Sequence, residues 1–337
     1  MPIASRVDAF HRRYPKTGYP LAVLYKYFDD QGGYLAALIA YYGLVSLFPL
    51  LLAFTTILGV VLEHHEHLRE EILSSTLQQI PVVGDQIADP SSLSGGAVAV
   101  VIGMTGALYG GLGVAVASQN AMNVVWNVPR NSRPNPIMVR VRGLLLLATV
   151  GLAMVGLVAL NITAAAVDLG SLGNVLLMIG TALIALAVFA FAFRFGTARA
   201  VSLLDVLPGA VIAAIGWQAL QHFGSVYVRH VIARVSSVNS VFATVLGLIA
   251  FLYLAAVMVV FCLEINSVRV DKLYPRSLLT EFTDDVVLTD GDEKAYRQMA
   301  QAQRNKGFER IEVTFDNPLT RDDETTAPAP TPAADDD

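Results

Sequence analysis

The sequence predicts an all-α integral membrane protein. It should have six transmembrane helices, both termini in the cytoplasm, and an amphipathic helix in the first external loop. Three observations carry this reading. Of 337 residues, 54% are hydrophobic and only 15% are charged, against about 45–50% and about a quarter in a soluble domain. Six apolar runs each approach or exceed the roughly 18–20 residues needed to cross about 30 Å of hydrocarbon. The lysines and arginines crowd to one side of those runs, which marks the cytoplasmic face.

The runs are Tyr34–Leu62, Ala97–Ser118, Gly143–Val167, Val175–Phe193, Val206–Val228 and Val241–Phe261. The first begins too far from the start of the chain, and is too long, for a signal-peptide core. Six crossings return the chain to the side on which it began. Near the span ends fourteen basic residues fall on one side and three on the other. The larger group includes Arg12, Arg13, Arg130, Arg140, Arg142 and Arg199; the smaller is Arg69, Arg229 and Arg234. Residues 1–33 are then a cytoplasmic segment, 34–272 the membrane domain, and 273–337 an acidic, largely disordered cytoplasmic tail.

The net charge of −5 joins two unlike parts. From Glu281 onward there are fifteen acids and six bases, so the rest of the chain is mildly basic. The end, ETTAPAPTPAADDD, has too little apolar surface to offset the entropy of ordering. One short helix is expected near Glu293–Arg304, with Gly307 as its stop. The single cysteine, Cys262, excludes an intramolecular disulfide and a zinc site built of thiolates.

The first external loop, Glu63–Gly96, carries Leu68, Ile72, Leu73, Leu77 and Ile80 at helical spacing, which predicts the amphipathic surface helix. It opens on HHEH. His64 and His67 share a helix face, but a metal site needs more ligands than these, so no metal is expected.

Polar groups inside spans are costly and mark candidate functional positions. In the first span Pro49 deprives the Val45 carbonyl of its helical partner and predicts a kink. Ser46 is placed to occupy the freed site. Tyr41 and Tyr42 point about 100° apart, so one of them can face a cavity while the other packs. The second span carries Gly106 and Gly110 as GxxxG, with Gly103 on the same face, which predicts close helix packing.

The fifth span places Gln218, Gln221, His222 and Ser225 at i, i+3, i+4 and i+7, on one face that Arg229 extends. That stripe should face the bundle interior, as interhelical hydrogen bonds or as a lined solute path. The sixth span ends in FCLEINSVR. Glu264 either forms an ion pair, with Arg194 as a possible partner, or couples protons or binds a headgroup.

Four of these stretches resemble one family. AALIAYYGLVSLFPLLL is similar to the first-span signature of the YihY/BrkB family of bacterial inner-membrane proteins. QNAMNVVWNVPRNSRPN, residues 119–135, resembles its cytoplasmic motif after the second span. LPGAVIAAIGWQ and CLEIN are similar as well, and the YhjD-labelled subgroup is the nearest in character. The resemblance spans about residues 30 to 270. It implies family-pattern positions at Tyr41, Tyr42, Pro49, Gln119, Asn120, Asn123, Trp126, Pro129, Pro208, Gly209, Trp217, Glu264 and Asn266. It implies envelope lipid export without a named substrate, and no catalytic residue.

Three functions follow as expectations. The first is a transporter or lipid translocator whose partners are membrane lipids, with interfacial arginines such as Arg194 and Arg229 for headgroups or ion pairs. The second is a scaffold that recruits a cytoplasmic partner through its tail. A homo-oligomer is compatible with either. The third, a ribonuclease (a label the family often carries), is disfavoured: the histidine cluster falls outside and the acidic tail repels RNA. No enzyme activity, cofactor or nucleic-acid partner is expected. No Walker A motif is present, so the chain alone should not hydrolyse nucleotide to drive transport.

Overall fold

The apolar runs appear as long helices that zigzag through one bundle. The structure is a computed structural model and describes residues 2–61, 97–166, 170–230, 237–280, 282–283 and 286–315. Two helices precede the bundle, α1 (Pro2–Arg13) and α2 (Tyr19–Asp29), joined by a 3₁₀ turn at Pro15–Gly18. The bundle is α3 (Gly32–Val61), α4 (Ala97–Val125), α5 (Pro136–Ala166), α6 (Gly170–Gly196), α7 (Leu203–His230) and α8 (Ser237–Asp271). A last helix, α9 (Asp290–Ala302), follows. The predicted amphipathic loop helix and the HHEH cluster lie outside the described residues.

Five stretches are long and apolar enough to cross a membrane: Val101–Val125, Pro136–Ala153, Val175–Gly196, Leu203–Gly224 and Ala243–Asp271. In α3 the apolar segment among the residues so assessed is the shorter Gly32–Leu47. The outer faces of the bundle carry Leu152, Met178, Ile215 and Leu254 more than half exposed. In water such a belt would be an aggregation hazard; in lipid it is the expected outer surface. Helices this long, with this surface, make a multi-pass membrane protein.

The α3–α4 seam is the most extensive helix pair among the described residues. A side chain added at Gly110 would stand 2.5 Å from Ser46 Cα, and one at Gly106 would stand 2.7 Å from Pro49 Cβ. The GxxxG pattern therefore brings α4 against the backbone of α3, as expected for small residues at a membrane helix contact. Pro49 lies within a continuous helix. The Ser46 hydroxyl donates to the Gly43 carbonyl at 2.9 Å, two residues before the Val45 carbonyl expected to receive it. The hydroxyl is short, and the carbonyl three residues back is within its reach.

The centre of the bundle is α8, which packs on α2, α3, α4 and α7. Gly209 permits its close approach to α7. A Cβ there would lie 2.3 Å from the Cys262 carbonyl oxygen.

Part of the expected tail is folded. α9 starts at Asp290, before the predicted Glu293, because Thr289 caps it. The Thr289 hydroxyl accepts the Asp292 N–H while the Asp292 carboxylate accepts the Thr289 N–H, a reciprocal cap. The helix then stops at Ala302. Leu273, Arg276, Ser277, Asp292, Ala295 and Ala302 are buried, so the segment packs against the protein instead of hanging free.

Candidate functional site

One end of the bundle is where α3, α5 and α7 begin and α4, α6 and α8 end. It is the arginine-rich end, and it holds a layer of buried polar side chains. Each chain reversal leaves backbone N–H and C=O groups without helical partners, and the sequence supplies amides to meet them. Gln119 donates to the carbonyls of Ala115 and Val139, tying α4 to α5. Asn123 accepts the Ala198 N–H at 2.8 Å and so fixes the chain leaving α6. Asn120 accepts from Arg133 at 3.2 Å. Asn266 accepts the Gly209 N–H and donates to the Val206 carbonyl. That pair of bonds ties α8 to the backbone of α7 on either side of Pro208.

Within this layer lies a charged triad. Lys26 of α2 bonds Asp30 one turn on, and its ammonium lies 3.8 Å from the carboxylate of Glu264. It also donates to the Val125 carbonyl at 3.2 Å, which the Ser267 hydroxyl bonds at 2.8 Å. Glu264 is 0% exposed and Lys26 2%. Burial works against the Lys26 ammonium, but the carboxylates of Asp30 and Glu264 outweigh it and hold its pKa above the ordinary lysine value. The Asp30 carboxyl is also pushed up, by burial first, with Lys26 pulling the other way. In a simple ion pair the acid would move down. Here two carboxylates share one ammonium.

Two further ion groups close the same end. Arg276, fully buried, bonds Asp29 and Asp292 and lies over the rings of Tyr25 and Tyr296. Burial opposes its charge, but the two aspartates hold its pKa above the ordinary arginine value. Arg199 grips Asp271 through two bonds of 2.8 and 2.7 Å and lies over the Trp126 ring. Beside it a cleft of about 380 Å³ is lined by Trp126, Asn127, Ser132, Arg199, Gln298 and Gln301.

The sequence-predicted positions divide accordingly. Gln119, Asn120, Asn123, Glu264 and Asn266 gather at this end. Tyr42 packs on Gly113, while Tyr41 is 59% exposed on the outer surface; their rings meet edge-on at 5.3 Å. Pro49 packs on Gly106. On α7, Gln218 donates to Thr181 of α6 at 3.4 Å and Gln221 is half-buried. His222 is exposed, so this stripe does not turn as a whole toward the interior. A face of four residues over two turns is wider than the seam between two helices. The side chains of Ser225 and Arg229 lie outside the described residues.

Arg194 is exposed; the cation on Glu264 is Lys26. Sequence reasoning missed Lys26 and Asp30. The available signal was register: Ala22, Lys26 and Asp30 follow at i, i+4 and i+8, on the same face as the buried Val23. A lysine on the apolar stripe of a helix needs a buried partner.

The family model for "Virulence factor BrkB" matches residues 23–280. The chain belongs to the virulence factor BrkB family. The match to BrkB takes in the whole bundle together with Lys26, Asp30, Glu264 and Arg276, and ends before α9. Comparison with curated proteins and with solved structures gives no match.

Proposed function

We propose that this BrkB-family chain is a six-span transporter or lipid translocator of the bacterial inner membrane, with both termini in the cytoplasm. The observation that carries the reading is the position of Arg140. It is exposed on α5 among the exposed apolar side chains of Ile137, Val141 and Leu144. Arg194 stands in the same way beside Phe191 on α6. An arginine at the edge of an apolar belt is suited to a phospholipid phosphate, which it can hold with a planar pair of donors. The excess of basic residues at this end supports a cytoplasmic orientation.

The test is translocation of a fluorescent phospholipid in vesicles carrying the purified protein. Wild type should accelerate loss of the inner-leaflet signal, and Arg140→Gln with Arg194→Gln should slow it severalfold. A wild-type rate equal to that of protein-free vesicles removes the lipid reading and shifts weight to a polar solute. Lipids retained on gentle purification, compared with a Gln218/Gln221/His222 alanine triple, report whether α7 contributes.

The alternative is a scaffold that recruits a cytoplasmic partner through its acidic end. Removing everything from Ser277 would strip Asp292 from Arg276 and damage the fold. The informative cut is after Phe315. A transporter should survive that cut, whereas a recruiter should lose its partner. Whether the chain works as a homo-oligomer is open to light scattering on the same samples.

A further inference from the structure

The Lys26–Asp30–Glu264 triad has one carboxylate more than it has cations, and it is closed off from solvent. Asp30 and Glu264 converge on the same Lys26 ammonium, Asp30 bonding it and Glu264 at 3.8 Å. Among the described residues, neither oxygen of Glu264 receives a hydrogen bond. Two carboxylates are acceptors only, so their contact closes only if one of them carries a proton. An uncompensated charge at a fully buried site costs several kcal/mol even after relaxation.

Of the helices packed on α8, α3 and α4 contain no lysine, arginine, histidine, aspartate or glutamate. The cationic groups of α7, His222, Arg229 and His230, fall in its last three turns, at the opposite end of that helix from the triad. The ionisable groups facing the triad are Tyr27 and Asp29 of α2, besides its own three members. Asp29 is already engaged by Arg276. On α8, Arg269 donates to the carbonyls of Leu204 and Asp205, and Asp271 is held by Arg199.

We propose that this triad is a proton-binding site in which Asp30 and Glu264 share one exchangeable proton beside the Lys26 ammonium. With the proton bound, the site is neutral and α2 rests against α8. When the proton leaves to water, two carboxylates face one ammonium and the site carries one net negative charge. The contact between α2 and α8 then loses its central hydrogen bond. Asp30, 7% exposed against 0% for Glu264, is the member through which the proton enters and leaves. The site would give a transporter its coupling ion. That consequence rests on the transport reading above; the proton itself does not.

The experiment is infrared spectroscopy of the full-length protein in lipid nanodiscs at neutral pH. The carbonyl stretch of a protonated carboxylic acid stands apart from the carboxylate bands and shifts in heavy water. Wild type should show such a band; Glu264→Gln should lose it, and so should Asp30→Asn, because the two groups share one proton. Where Glu264→Gln fails to fold, Asp30→Asn reads the same site. Absence of the band in wild type overturns the proposal, and so does a band that survives both substitutions. A band that vanishes on adding sodium at constant pH also overturns it, because the site then takes a metal cation. A positive spectrum in a protein that translocates nothing leaves the proton site standing and removes only the transport reading.

Discussion

The ammonium of Lys26 lies 3.8 Å from the carboxylate of Glu264, so a residue before the first helix of the bundle faces one near the end of the last. The contact fastens α2 beneath the bundle. It depends on Asp30 as much as on Glu264, which is why its parts should not behave independently.

Lys26→Met should be strongly destabilising, by about 3–5 kcal/mol, because it leaves two buried carboxylates without a cation. Adding Glu264→Gln to it should restore a large part of the loss. Thermal melting of the single and double variants in one detergent measures the coupling directly.

Stability should depend on pH through Asp30. Its pKa is raised by burial, so the folded state binds that proton more tightly than the unfolded chain does. The resulting advantage is complete below the ordinary aspartate range and is lost as pH rises through the raised folded value. Lys26, also raised, contributes stability that holds below the ordinary lysine range and fades only above it. The melting temperature should therefore fall as pH rises above the ordinary aspartate range, and Asp30→Asn should flatten that decline. A wild-type curve that rises with pH there would contradict the burial argument.

Arg276→Met should release α9. The guanidinium bonds Asp29 and Asp292 from a fully buried position, and cutting it strands two aspartates, at about 3–5 kcal/mol. Arg276→Lys should also fail in part, because a point charge cannot fork to both partners. Hydrogen exchange across residues 290–302 should quicken in both variants while the bundle stays protected.

Gly209→Ala and Gly151→Ala should separate packing from helix propensity. At Gly209 the new methyl meets the Cys262 carbonyl at 2.3 Å, whereas at Gly151 nothing among the described residues lies within 4 Å. The first should lower stability by about 1–3 kcal/mol through overpacking. The second should be neutral or slightly stabilising, because alanine is the better helix former. Melting temperatures decide.

A reporter fused after Asp337 should read cytoplasmic and one inserted within Ser91–Ser94 external. The opposite pattern would reverse the orientation drawn from the arginines.

The sequence alone determined the helices. Each apolar run became one, and the termini lengthened at the arginine-rich end: Ala97–Ser118 became α4 (Ala97–Val125), and Val241–Phe261 became α8 (Ser237–Asp271). Hydropathy and proline or glycine position act over one or two turns, so a linear reading captures them. The family motifs were legible for the same reason. Glu264 and Asn266 stood out as polar residues in an apolar run, and the structure places both at 0% exposure.

Only the tertiary structure decided which polar groups meet. Lys26, not Arg194, reaches Glu264, because α2 folds under α8 while Arg194 points outward. Arg276 and Asp292 meet in a segment whose composition suggested tail, since a few charged contacts can hold a short helix that has little apolar surface of its own. His222 came out on the surface although it shares a helix face with Gln218, since a seam between helices covers only part of such a face. Hydropathy is a property of one residue and its near neighbours. Charge pairing is a property of two residues that the chain brings together from opposite ends, and no local pattern contains it.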